Sequence, residues 1–334
     1  MDMKRWMQGI IAGKERVAIP VLTHPGIEML GKTVLEAVTD GRIHADAIEA
    51  VSRRWPSAAA TVIMDLTVEA EAFGAEIRFE PNEVPTVVGH LIDGPEGVDC
   101  LKVPALDRAR VPQYLLANRL SVERITDKPV LAGCIGPFSL AGRLYDMTEF
   151  MMLCYTDPDV AHKLLAKCND FLRNYVVALK ETGVQGVVVA EPAAGLMPGE
   201  GCEEFSSRYV KALVEAVQDD TFLVILHNCG NTGACTEAMV ATGAAGYHFG
   251  NRMNMVDALT ACPPDVLVMG NLDPVSVFKQ ATPEGVAQAA TDLLEQTAVW
   301  PGFVLSSGCD VPPHVAEANI DAFYGALAGY NAKK

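Results

Sequence analysis

FLVILHNCGN, Phe222 to Asn231, runs five consecutive apolar residues straight into an imidazole and a thiol two positions apart. Unbroken apolarity over Phe222–Leu226 suits a strand buried on both faces, as in a parallel sheet covered by helices. Residues i and i+2 of a strand point to one side, so His227 and Cys229 can converge just past its end. A second apolar run, Phe303-Val304-Leu305, leads in the same way into SSGCDVPP, Ser306 to Pro313, and delivers another thiol at Cys309. One imidazole and two thiolates make three soft ligands, the number a catalytic zinc site uses when its fourth position stays open. Cys309 lies too far along the chain for a zinc-finger knuckle, so the fold must bring it in. The same residues also read as two small buried hydrophobes and a hydrogen-bonded core histidine.

Six further runs of this kind flank these two. In chain order the set is Val17–Leu22, Thr61–Met64 ending at Asp65, Val130–Ile135, Gly186–Ala190 ending at Glu191, Phe222–Leu226, Gly246–Phe249, Val266–Met269 and Phe303–Leu305. Sequence of helical period follows each one. Residues 1–16 carry a helical pattern with Trp6, Ile10 and Ile11 on one side, an N-terminal helical extension. From Val68 to Val103 prolines and glycines intervene and Ala75–Glu80 alternates, which predicts an inserted loop or small hairpin after the second strand. Eight apolar runs alternating with helices predict a single (β/α)8 TIM barrel over residues 1–334, with a doubly wound open sheet as runner-up. The residues after the strands favour the barrel, because closure sets His24, Asp65, Glu191, His227, Asn251, Asn271 and Cys309 round one mouth.

Half of the 334 residues are apolar and 20% are charged, enough for a large core. A net charge of −16 argues against nucleic acid or an anionic membrane surface as partner, since both bind clustered Lys and Arg. Nine cysteines, odd in number and scattered, read as reduced thiols of a cytoplasmic protein. The opening stretch MDMKRWMQGIIAGKERV lacks the apolar core of a signal peptide, and no run approaches the roughly 18 apolar residues of a membrane span.

Five pieces, GCIGPFSLAGRL at 133–144, HNCGNT at 227–232, ATGAAG at 241–246, MGNLDP at 269–274 and SSGCDVPP at 306–313, carry a resemblance. The chain resembles the uroporphyrinogen decarboxylase superfamily over nearly its full length and, within it, the corrinoid-dependent methyltransferases such as the methylcobalamin:coenzyme M enzymes. That resemblance implies zinc on His227, Cys229 and Cys309, binding and activating an acceptor thiol. It implies methylcobalamin, or another methylated corrinoid on a partner corrinoid protein, as donor, and a small-molecule acceptor, a thiol such as coenzyme M, with tetrahydrofolate not separated from it. Asp65 falls near the decarboxylases' essential aspartate; with Glu191 it forms the candidate catalytic pair. His24, Asn231, Asn271 and Asp310 are the candidate residues for holding cofactor or substrate, and a homo-oligomer is left open.

Two departures qualify the resemblance. Uroporphyrinogen decarboxylases carry arginines in the loop after the first strand, where this chain has His24-Pro25-Gly26-Ile27-Glu28. Some of the methyltransferases place a carboxylate after the sixth strand to fill the metal's fourth position; here Gly250-Asn251 stand, leaving His248, a water, Asp310 or Glu191. A tetrapyrrole decarboxylase, a structural zinc protein and a non-catalytic corrinoid-protein binding module are the alternative readings.

Overall fold

The computed structural model describes residues 1–333. Its strands are β1 (Ala60–Thr61), β2 (Ile77–Glu80), β3 (Glu83–Val87), β4 (Val130–Ile135), β5 (Gly186–Ala190), β6 (Leu223–Asn228), β7 (Gly246–Phe249), β8 (Leu267–Leu272) and β9 (Phe303–Ser307). Seven of them form one curved parallel sheet in the order β1-β4-β5-β6-β7-β8-β9, a TIM-barrel-like arrangement. The remaining pair, β2 and β3, makes a separate antiparallel ribbon between helices Val68–Phe73 and Gly94–Cys100.

The expected first strand, Val17–Leu22, is not a regular strand. It makes one parallel bridge, Ala18 to Leu305. Ile19 N–H donates to Leu305 O and Leu305 N–H to Val17 O, while on the other side Ala58 N–H donates to Ala18 O. The segment therefore bonds both to β9 and to the lead-in of β1. Pro20 has no N–H to give, which stops the ladder from running further.

The two faces of the sheet bury different apolar sets, which is why the runs are continuous rather than alternating. Val187, Val189, Val224, Leu226, Tyr247 and Phe303 pack outward with the helices. Ile19, Leu131, Val188, Ile225, Leu267, Met269 and Val304 form a separate interior cluster. The N-terminal helix Met3–Ala12 lays Trp6, Met7, Ile10 and Ile11 against that cluster, and its Met3 packs on Leu223 and Ala245 at the beginnings of β6 and β7. This helix thus stoppers the end of the sheet opposite His227.

The helix Pro158–Glu181 is capped by the Asp157 side chain on Val160 N–H, has proline in its first turn, and buries Leu164, Leu165, Phe171, Leu172, Val176 and Leu179. Three helices, Thr23–Met29, Val34–Thr39 and Gly41–Arg54, precede β1, because Thr33 and Asp40 each cap a new start. Among the described residues no helix is long and apolar enough to cross a membrane.

Candidate metal centre

Parallel register sets His227 of β6 level with Ala190 of β5 and His248 of β7. Within β6 the side chains alternate, so Ile225 and His227 face inward and Leu226 faces the helices. Cys229 continues the inward row past the strand end. Cys309 arrives from the loop after β9, with its Sγ 3.8 Å from His227 Nε2. The ligand atoms of His227, Cys229 and Cys309 all lie within 4.8 Å of one another.

The protonation of this group follows from its hydrogen bonds. Ser306 Oγ donates its single hydrogen to Ile19 O at 2.7 Å, so towards His248 it can only accept. His248 Nε2, 2.9 Å from Ser306 Oγ, must then carry the proton of that neutral ring, leaving His248 Nδ1 as an acceptor. His227 Nδ1 lies 2.6 Å from that acceptor and donates to it. The Nε2 lone pair of His227 is therefore free, and it faces the two thiols. Burial, with His227 adding to it, holds the His248 ring far below the ordinary histidine range, which keeps the relay neutral.

The thiols polarise each other. A hydrogen bond from Cys309 pulls the Cys229 thiol below its usual range against the effect of burial, while the same bond and burial push Cys309 up to about 12. With both thiols deprotonated, a cation here would meet two thiolates and an oriented imidazole, a donor set that fits zinc.

Beneath this group lies an apolar cavity of about 90 Å³. Ile19, Leu131, Val188, Ile225 and Met269 make its floor, Thr61, Met64 and Leu66 line it from the β1 side, and His227, Cys229, Cys309 and Asp310 stand at its head.

The profile of the family Uroporphyrinogen decarboxylase (URO-D) matches residues 15–330. The chain belongs to the uroporphyrinogen decarboxylase family. It is 32% identical over 276 residues, 81% of its own length and 80% of the relative's, to the methylcobamide:CoM methyltransferase MtbA of Methanosarcina acetivorans. To the uroporphyrinogen decarboxylase of Pseudoalteromonas atlantica it is 26% identical over 294 residues, covering 84% and 81% of the two chains. Its fold superposes on a solved methyltransferase from Methanosarcina mazei with a TM-score of 0.87, at 23% identity and 99% coverage of both chains.

Against that family background, several residues expected at the mouth point elsewhere. Asp65 is flanked by Met64 and Leu66, which line the cavity, while its own side chain turns outward. Both of its oxygens are occupied: Oδ1 accepts from Thr67 N–H and Oγ1–H, and Oδ2 from Arg110 and Tyr114. Glu191 is likewise the outward member between Ala190 and Pro192. Its Oε1 accepts from Ser139 N–H in the first turn of helix Pro137–Tyr145, and its Oε2 from Ser206 Oγ–H. Burial lifts this carboxyl to about 7 although those donors favour the charged form. Expected as catalysts, both carboxylates are instead built into walls.

The expected cofactor-holding residues divide. Asn231 is buried with Oδ1 accepting from Gly233 and Cys235 N–H and Nδ2 donating to Thr236, so it shapes the loop after β6. Asn271 donates to Gly250 O and Met253 O, tying β8 to the loop after β7. Neither lines the cavity. Asp310 does, with Oδ1 held by Thr23 N–H. His24 sits behind it, Nε2 3.9 Å from Asp310 Oδ2, Nδ1 without a hydrogen-bond partner, and its ring held down to about 4 chiefly by burial.

Gly250, where the resemblance led to the expectation of a carboxylate, has a steric cause. A Cβ on Gly250 would lie 2.6 Å from Cys229 O and 2.7 Å from Cys229 Cα, so this loop packs on the Cys229 backbone too closely for a side chain. His248 does not take the fourth position either, since both its nitrogens are spent on His227 and Ser306. Its orienting role, and any role for Ser306, lay outside the sequence reading. The available signal was the strand register, which places a polar residue beside His227 in an otherwise apolar strand.

Proposed function

We propose that this protein is a zinc-dependent methyltransferase that moves a methyl group from a methylated corrinoid, carried by a partner corrinoid protein, to a small-molecule thiol. One observation carries the reading: a His-Cys-Cys donor set at the head of an apolar cavity, with the imidazole lone pair aimed at the sulfurs by a two-residue relay. The methylcobamide:CoM methyltransferase named among its relatives supports the donor. His227, Cys229 and Cys309 would hold the metal, and Asp310 or solvent would complete the shell. Bound there, zinc supplies a Lewis acid that keeps an acceptor sulfur deprotonated and nucleophilic.

The chain's own residues do the rest. Cys229 and Cys309 bind metal as thiolates and release thiol protons on loading, so metal affinity rises with pH. His248 and Ser306 hold His227 in one tautomer. The apolar floor keeps water from the reacting sulfur. Asp310, lining the cavity and fixed by Thr23 N–H, stands where it can take the acceptor's proton. The S–CH3 bond forms as the donor's carbon–cobalt bond breaks, its electron pair staying on cobalt. Asp65 and Glu191 act by holding the mouth in shape.

Metal analysis of the purified protein should give one zinc per chain, and a folded, unchelated protein without zinc would count against the reading. Cys309→Ala should abolish methyl transfer from methylcobalamin to a thiol while the melting temperature changes by no more than about 4 °C, the size of a roughly 1–2 kcal/mol effect in a chain this long. A structural zinc would instead make stability fall together with activity, because its binding energy would be folding energy.

A further inference from the structure

We infer that the acceptor is a thiol with an uncharged, apolar tail, and that thiols bearing a sulfonate or carboxylate are excluded; this rests on the thiol-methyltransferase reading above. Among the described residues no Lys or Arg side chain lines the cavity beneath His227, Cys229 and Cys309. Its polar members are the three ligand residues, His248, Thr61 and Asp310. His248 is spent on the relay, and Asp310 brings no positive charge for an anion to pair with. Arg110, a buried cation beyond Asp65, has its guanidinium occupied by Asp65, Glu71, Thr67 and Val38 O and cannot be recruited.

The direction of the tail follows from the reaction. A corrin ring is far too wide for a cavity of this size, so the methyl donor must come from the open mouth. A sulfur held at the head of the cavity with its lone pair facing the mouth then sends its substituent toward Ile19, Leu131, Val188, Ile225 and Met269. Those side chains also belong to the buried interior cluster, so the surface is dry as well as uncharged. An anionic tail placed there would be desolvated with no counter-charge, whereas an alkyl or aryl tail would gain contact. The acceptor class is thus set by the layer of interior side chains directly under the site.

The test compares propane-1-thiol with 2-mercaptoethanesulfonate on the zinc-loaded full-length protein, by calorimetric Kd and by kcat/KM for transfer from methylcobalamin. Propane-1-thiol should bind and react better by at least about a hundredfold, the size of an uncompensated buried charge of a few kcal/mol. Met64→Arg places a guanidinium on the cavity wall from a half-buried position and should narrow that gap by about tenfold or more. Sulfonate binding and turnover equal to or better than the alkyl thiol would overturn the inference and leave the thiol-methyltransferase reading intact. Failure of every thiol, neutral or anionic, in a protein that still demethylates methylcobalamin for another acceptor would overturn both. Should Met64→Arg not fold, the wild-type titration alone decides.

Discussion

At the scale of single residues, the weight of the site rests on His248 as much as on the ligands. Phe at this position keeps a planar ring, somewhat larger than imidazole, but removes the acceptor that His227 Nδ1–H faces. His227 is then free to place its proton on Nε2, where it blocks the metal. His248→Phe should weaken zinc binding by about 10- to 100-fold, measured by competition with a chromogenic chelator. Ser306→Ala should act in the same direction but less, because His248 loses its tautomer preference rather than its acceptor atom. Wild-type zinc affinity in His248→Phe would remove the relay from the account.

At the scale of elements, the two outward carboxylates tie strands to helices by different means. Glu191 joins the end of β5 to the first turn of helix Pro137–Tyr145, and a Cβ on Gly136 would fall 2.0 Å from its Oε1, so the contact is close. Its folded-state value of about 7 is above the unfolded one, so the folded state binds more protons between pH 4.5 and 7 and stability is lost as pH rises through that window. Gln can keep both hydrogen bonds without the charge. Glu191→Gln should therefore gain on wild type between pH 5 and pH 8.5, by an order of 1–3 kcal/mol in urea unfolding. An unchanged difference across that range would refute the buried-carboxyl account.

Asp65 and Arg110 instead form a buried ion pair between the end of β1 and the helix Val111–Arg124. Removing the cation alone leaves a charge without a partner. Arg110→Met should cost about 3–5 kcal/mol in denaturant unfolding, and Asp65→Leu added to it should recover part of that loss. A double variant less stable than the single one would show that the hydrogen bonds to Thr67 and Tyr114, rather than the charge, hold this corner.

For the whole molecule, charge bears on which of the two activities found among its relatives this chain can host. The chain carries −16 overall and its cavity no cation, whereas a tetrapyrrole with eight carboxylates needs a cationic host. Uroporphyrinogen III should not be consumed in anaerobic incubation, with coproporphyrinogen formation as the readout. Clear turnover would move the protein to the decarboxylase side of its family.

Local sequence was enough to locate the strands after the first and to single out His227, Cys229 and Cys309, whose side chains meet. Val130–Ile135, Gly186–Ala190 and Gly246–Phe249 are strands over the residues that their apolar runs predict, because burial on both faces leaves almost no polar position inside them, His248 being the exception. His227 and Cys229 meet by strand parity, a property of two residues and the bond geometry between them. The same parity turns Asp65 and Glu191 away from the mouth, yet it becomes usable only once it is known which face of each strand is the interior, and apolar residues on both faces hide that. His248 and Ser306 reach the site through register between strands far apart in the chain, the cavity floor through five strands or segments at once, and the loss of the first strand's ladder through Pro20 meeting β9. Those are sums over long-range contacts, and no window of the sequence contains both partners.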